Sequence, residues 1–136
     1  MRLFEIENPS LYLHTDREHK SGKVLTPLQR GYRLGASVEG WLERGRPDHM
    51  ISRSNCIFLR DQATGRAPLI YAVEPLGACE RGHTGWLRLL QQPGEKDNPL
   101  IDEWIANYWA GNECPSMPGP WEYRAAEVRV VNSVKQ

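Results

Sequence analysis

The sequence predicts an α+β fold, in which several short strands are combined with few helices and long loops. Short apolar segments bounded by glycine, proline and polar residues recur along the chain, and this pattern is typical of strands. The clearest helical periodicity is confined to one segment near residue 100. Strands and helices do not alternate regularly, so the pattern disfavours a parallel sheet of the Rossmann type.

The composition fits one globular domain spanning residues 1–136, with 40% hydrophobic residues. Lys+Arg and Asp+Glu are both 17, so the net charge is zero and no overall field favours nucleic acid or an acidic membrane. No apolar run approaches the roughly 18 residues of a membrane helix, and the first residues lack the apolar core of a signal peptide. Three cysteines make no even disulfide set. We therefore expect a cytoplasmic protein that does not contact a membrane.

The first half of the chain predicts strands on either side of one short helix. Residues 11–15 form an apolar segment with a polar end, which indicates a first strand. Glycine and proline keep residues 22–35 irregular. Residues 36–44 have one apolar face at helical spacing. Residues 56–59 and 69–73 are compact apolar strands separated by a turn, so we expect them to form a hairpin.

The second half contains the most strongly periodic segment. Residues 77–85 are predicted to be a polar loop and residues 86–90 a further strand. A helix follows, because apolar residues repeat at spacings of three and four: Leu100, Ile101, Trp104, Ile105, Tyr108 and Trp109. Asn98 suits its N-cap and Gly111 its end. We interpret its aromatic residues as core, without a chemical role.

The last strand places a carboxylate where an apolar side chain is expected. Counting back in twos from Val128 puts Glu122 and Arg124 on the apolar face, with Glu127 on the other. A buried carboxylate is costly unless it has a partner or a role in chemistry. Two alternatives stay open: Glu122 lies in solvent at the start of the strand, or a bulge at residues 125–126 exchanges the faces of the two glutamates.

Common catalytic and ligand-binding motifs are absent from the sequence. There is no G-x-G-x-x-G, Walker A, G-x-S-x-G or H-E-x-x-H motif, which disfavours the usual nucleotide loops, serine hydrolases and zinc proteases. Cys79, His83 and Cys114 are three possible metal ligands without a paired C-x-x-C motif. We therefore predict no metal site.

Several short segments together resemble a known superfamily. They are LYLHTD at 11–16, RP at 46–47, SRSNCIFL at 52–59, YWAG at 108–111 and WEY at 121–123. In this order they are similar to small bacterial and phage proteins of the ADP-ribosyltransferase superfamily. The resemblance covers most of the chain and implies a split sandwich of two small antiparallel sheets, with NAD bound in the cleft between them.

The resemblance also implies which residues bind NAD. His14 and Thr15 would contact a ribose from the end of the first strand. Arg53 would bind a phosphate or ribose, supported by Ser54, because a guanidinium has the planar fork that suits a diphosphate. Tyr71 would either stack on nicotinamide or be an ordinary buried strand tyrosine.

Glu122 would be the catalytic residue that holds the 2′-hydroxyl of the nicotinamide ribose. Breaking the glycosidic bond builds positive charge on this ribose, so a fixed carboxylate stabilises the transition state more than the ground state. Position 120 is a proline, so the E-x-E motif of arginine-specific enzymes is absent.

The predicted function is that of an NAD-dependent ADP-ribosyltransferase that modifies a macromolecular acceptor, most simply a protein. An effector, a toxin and a phage counter-defence protein are the biological roles that this compact size suits. The alternative is a non-catalytic module on the same scaffold, which would bind a protein partner through exposed Trp41, Trp86 or Trp121. Nucleic-acid binding is the weakest prediction, because the net charge is zero.

Overall fold

Two long strands, β4 (Leu69–His83) and β5 (Trp121–Lys135), form the centre of the structure. The computed structural model describes residues 10–27, 33–92, 94 and 97–135. The other elements in this part of the chain are β1 (Leu11–Thr15), β2 (Val24–Leu25), β3 (Ile57–Leu59), α1 (Ala36–Arg44), α2 (Thr84–Leu90) and α3 (Ile101–Ala110). Over the described residues, a five-stranded antiparallel sheet and three helices confirm the predicted α+β class.

The sheet is closed by a contact between β1 and the end of β3. Its strand order is β1-β4-β5-β2, and β3 pairs with β5 on the edge that β2 also uses. Tyr12 and Arg60 exchange two backbone hydrogen bonds of 2.7 and 3.0 Å, so β1 also meets the end of β3. Because this contact is antiparallel, the polar end of β1 lies toward the residues that precede β3.

A bulge divides the long β4–β5 pair into two halves. Leu76 pairs with Glu127 but Cys79 pairs with Ala125, so β4 has one extra residue here, and Gly77 lies in it with a φ of +79°. Bulges of this kind bend a strand and increase its twist. One half of the pair carries β1 and β2, and the other carries β3 and leads into α2.

The described residues form two apolar clusters. The sheet cluster has as its most buried members Leu59, Ala125, Val128 and Val130. The helical cluster joins the three helices, and its most buried members are Leu42, Leu90, Tyr108 and Trp109. The indole Nε1 of Trp109 donates a hydrogen bond of 2.9 Å to the carbonyl of Leu42, which fixes α3 against α1.

Two predicted elements are wrong in the middle of the chain. Residues 86–90 belong to helix α2, not to a strand, and residues 77–85 are not a loop because β4 continues to His83. An almost entirely apolar run has no visible period, so helix and strand cannot be told apart from it. The helix begins where His83 Nδ1 accepts a hydrogen bond of 3.3 Å from the Gly85 amide.

The predicted hairpin between residues 56–59 and 69–73 is also wrong. β3 pairs with β5, whereas residues 69–73 pair with β1 and β5. The predicted first strand and the helix at 36–44 are confirmed, and Gly111 ends α3 with a φ of +76°. Of the segment predicted to be irregular, residues 28–32 lie outside the described residues.

The N-cap of α3 is Leu100 rather than the predicted Asn98. Asn98 Oδ1 instead accepts a hydrogen bond of 2.8 Å from the Leu100 amide, in the turn that immediately precedes the helix. No described helix has the length and apolar character that crossing a membrane requires.

Candidate functional site

A cavity of about 620 Å³ lies where β1 meets the segment before β3. Four of the five residues predicted to bind NAD line it, namely His14, Thr15, Arg53 and Ser54. Its volume is within the range of ordinary small-molecule sites. A second cavity, of about 540 Å³, lies between α1 and α3 and contains none of the predicted site residues.

The end of β1 positions His14 and Thr15 at this cavity. Pairing of β1 with β4 sets His14 opposite Ile70 and Thr15 opposite Leu69. The Nε2 atom of His14 lies 2.7 Å from the carbonyl oxygen of Gln62, which fixes the imidazole ring. Thr15 Oγ1 accepts a hydrogen bond of 3.1 Å from the Arg17 amide, so the strand turns immediately into the next segment.

Tyr71, the fifth predicted NAD-binding residue, lies behind the cavity instead of lining it. It is 5% exposed and belongs to the sheet cluster. Its hydroxyl accepts a hydrogen bond of 3.0 Å from the His19 amide, and the two rings meet edge to face at 5.6 Å. Of the two alternatives predicted for Tyr71, the structure shows the ordinary buried strand tyrosine. Tyr71 supports His19, which lines the cavity.

Arg53 is the centre of a buried polar network. Its Nε and Nη2 atoms donate to the two carboxylate oxygens of Glu39 at 2.9 and 3.2 Å. Its Nη1 atom donates to Tyr108 Oη at 2.7 Å and to the Glu122 oxygens at 2.6 and 2.9 Å. Burial acts to lower the pKa of Arg53, but Glu122, Tyr108 and Glu39 raise it above its ordinary value. The guanidinium is therefore a permanent cation held between two carboxylates.

The loop that carries Arg53 and Ser54 is itself held by hydrogen bonds. Ser52 Oγ donates to Glu43 Oε1 at 2.7 Å and lies 2.9 Å from Ser54 Oγ, while Arg46 Nε donates to Glu43 Oε2 at 2.7 Å. Burial acts to raise the pKa of Glu43, but the hydrogen bonds from Ser52 and Arg46 lower it overall. The loop thus enters the network in a fixed conformation.

Glu122 lies on the inner face of β5, next to Arg53, and 13% of its side chain is exposed. Glu127 is exposed, as predicted, and the buried residues of this part of the strand are Arg124, Ala125, Val128 and Val130. Ala125 packs in the sheet cluster with Val128, whereas Arg124 contacts Tyr108 of the helical cluster, so the predicted strict alternation from Glu122 to Val130 is wrong. Glu122 does not itself line the cavity but contacts Arg53, which does.

Tyr108, Arg124 and Glu39 also belong to the site, although no chemical role was predicted for them. Tyr108 is a fully buried core aromatic as predicted, but its hydroxyl also accepts a hydrogen bond of 2.8 Å from Arg124 Nη1. Burial and the Glu122 carboxylate raise the pKa of Tyr108, so the hydroxyl stays protonated. A signal existed for Glu39, because it lies three residues before Leu42 and beside the apolar face of α1.

Glu80 joins the network to the loop. Its Oε1 atom accepts hydrogen bonds from the Ile51 amide at 2.8 Å and from Arg124 Nη2 at 3.5 Å. The network therefore has three carboxylates and two guanidinium groups, provided by Glu39, Glu80, Glu122, Arg53 and Arg124.

The three tryptophans that were predicted to bind a protein partner do not form one exposed surface. Trp86 is 7% exposed, belongs to the helical cluster and donates its Nε1–H to the Asn112 carbonyl at 2.7 Å. Trp41 and Trp121 are half-buried. The proposed contact through an exposed Trp86 is therefore wrong.

Comparison with known proteins does not assign the chain to a family. No model of a known protein family matches it, and no curated protein is similar to it in sequence.

Proposed function

We propose that the protein is an NAD-dependent ADP-ribosyltransferase with a fold of the split-sandwich type found in that superfamily. The observation that carries the proposal is the cavity of about 620 Å³, which is lined by His14, Thr15, Arg53 and Ser54. These residues come from two separate sequence segments, residues 11–16 and residues 52–59, and the resemblance implies NAD binding for all four. The hydrogen-bonded pair of Arg53 and Glu122 adds the required carboxylate beside the cavity.

In the proposed reaction, NAD binds in the cavity and the bond between its nicotinamide nitrogen and ribose C1′ breaks. Nicotinamide leaves with the electron pair of that bond as a neutral molecule, and the ribose becomes positively charged. The Glu122 carboxylate stabilises this charge. A nucleophile of a macromolecular acceptor, most simply a protein, then bonds to C1′ and releases its proton. This activity suits an effector, a toxin or a phage counter-defence protein.

The test is nicotinamide release and transfer of labelled ADP-ribose from NAD into a cell lysate by the purified protein. We expect Glu122→Gln to reduce release by at least about a hundredfold, the usual scale for loss of one electrostatic group. Glu127→Gln is the matched control, because Glu127 is an exposed glutamate on the same strand. Thermal unfolding of both variants separates loss of chemistry from loss of structure.

A wild-type protein that neither binds nor consumes NAD with any lysate would reject the proposed function. A Glu122→Gln variant that keeps full activity while Glu127→Gln loses it would reject the catalytic role of Glu122 and assign it to Glu127.

A further inference from the structure

The hydrogen bonds of Arg53 leave it little capacity to bind a ligand. A guanidinium has five N–H donors. The single Nε–H and one Nη2–H go to Glu39, and the two Nη1–H groups go to Tyr108 and Glu122. Four of the five donors are therefore used, and one Nη2–H remains. The planar fork that was expected to hold a diphosphate is occupied by carboxylates of the protein itself.

Other cations face the same cavity without such partners. Arg17, Lys23 and Arg33 line it, and none of the three forms an ion pair with another described residue. Asp16 is the one carboxylate among the described lining residues. The cavity wall thus carries an excess of positive charge although the chain as a whole is neutral. A concave surface with this charge favours an anionic ligand.

Of these three cations, Arg33 is the best placed to bind an anion. Its guanidinium carbon lies 4.3 Å from the centre of the Phe58 ring, and this stacking holds the side chain at the cavity. Burial lowers the pKa of Arg33, although Glu122 acts in the opposite direction. The residue as a whole is still exposed, so its guanidinium group remains accessible to an anionic ligand in the cavity. Phe58 and Ile57 also give this wall an apolar surface, which suits the ring of a nucleotide.

We propose that Arg33, with Arg17 and Lys23, binds the phosphate groups of the ligand, and that Arg53 is a positioning residue for Glu122. The identification of the ligand as a dinucleotide rests on the proposed function, whereas the anion site rests on the cavity and its charges. The diphosphate is then held by residues outside the buried network. Arg53 contributes by fixing both oxygens of the Glu122 carboxylate.

The test measures binding of inorganic pyrophosphate and of NAD by titration calorimetry. We expect Arg33→Gln to weaken both by about tenfold or more, the loss typical of a charge-assisted hydrogen bond. Arg44→Gln is the matched control, since Arg44 is an exposed arginine at the other cavity, and it should leave both affinities unchanged. Unchanged pyrophosphate binding by Arg33→Gln, or no pyrophosphate binding by the wild type, would overturn the anion site.

The role of Arg53 is tested separately with Arg53→Lys and Glu39→Gln. If Arg53 positions Glu122, the folded variants keep the wild-type affinity for pyrophosphate and the wild-type KM for NAD, while kcat for nicotinamide release falls. A loss of pyrophosphate affinity in Arg53→Lys as large as that in Arg33→Gln would contradict this role. If Arg53→Lys does not fold, the same measurement on Glu39→Gln decides. Binding of pyrophosphate without binding of NAD would support the anion site and reject the proposed function.

Discussion

Arg53 and Arg124 donate hydrogen bonds to the same acceptor, the hydroxyl oxygen of Tyr108, at 2.7 and 2.8 Å. Both arginines are almost fully buried, and they come from a loop and from strand β5. One neutral oxygen thus joins two cations that would otherwise repel each other. Three carboxylates on the outer sides of the pair compensate their charge.

Replacing Tyr108 with phenylalanine should destabilise the protein by about 1–3 kcal/mol, because two buried N–H donors lose their acceptor. Tyr12→Phe is the control, since the Tyr12 hydroxyl makes no hydrogen bond to another described residue. Urea unfolding of both variants measures the difference. Equal stabilities would show that the shared hydroxyl contributes nothing.

Gly82→Ala should displace the Tyr108 ring and, with it, the hydroxyl that Arg53 and Arg124 share. A methyl group at this position would overlap the Tyr108 ring and lie 3.1 Å from Arg124 Nη1. Overpacking of this kind costs about 1–3 kcal/mol. Gly40→Ala is the matched change in helix α1, where the added methyl meets only ordinary contacts, and it should stabilise by about 0.5–1 kcal/mol. Thermal unfolding that ranks the two variants in the opposite order would contradict the packing around Gly82.

The cysteines should report occupation of the cavity. Burial raises the pKa of Cys56 to about 12, so its thiol stays protonated at neutral pH and should alkylate slowly. Cys79 is exposed and should react first. Because Cys56 lines the cavity, saturating NAD should slow its labelling further and leave Cys79 unaffected. Mass spectrometry of peptides at successive times measures both rates, and protection of Cys79 alone would place the ligand elsewhere.

Glu43 should make the stability depend on pH in the acidic range. Its pKa in the folded protein is lowered, so its contribution is fully present above the ordinary pKa of a glutamate and is lost as the pH falls through the lowered pKa. Glu43→Gln should therefore be less stable than wild type at neutral pH, and the difference should vanish in acid. The side chain is 43% exposed, so the effect should stay below about 1 kcal/mol.

The control for this experiment is Glu113→Gln, which removes an exposed glutamate on the loop after α3. Denaturant unfolding at a series of pH values gives the comparison. A difference between wild type and Glu43→Gln that grows on acidification would contradict the hydrogen bonds to Ser52 and Arg46.

The local sequence pattern was sufficient to predict those elements whose hydrophobic periodicity is visible in the sequence. The short strand at 11–15, helix α1 and the Gly111 helix end were predicted because periodicity and turn chemistry act over a few residues. Helix α2 was missed because its apolar run has no period. The length of β4 was missed because the glycines at 77 and 82 suggest a loop, whereas one forms a bulge and the other packs under Tyr108.

Only those site residues whose type is unusual for their position could be predicted from the sequence. Glu122 was singled out because a carboxylate on an apolar face requires a partner. The identity of that partner depends on a contact between residues 53 and 122, which no local pattern encodes. Tyr108 was assigned to the core and does lie there, but an aromatic residue with a polar end can serve both purposes.

The closure of the sheet between Tyr12 and Arg60 has a consequence for folding. This contact joins β1 to a strand distant in sequence, and such contacts carry the largest loop-closure entropy. The cavity lies at that junction, so it is complete only when the strands have met. A ligand in the cavity contacts residues on both sides of this junction and should therefore stabilise the closed sheet as its concentration rises.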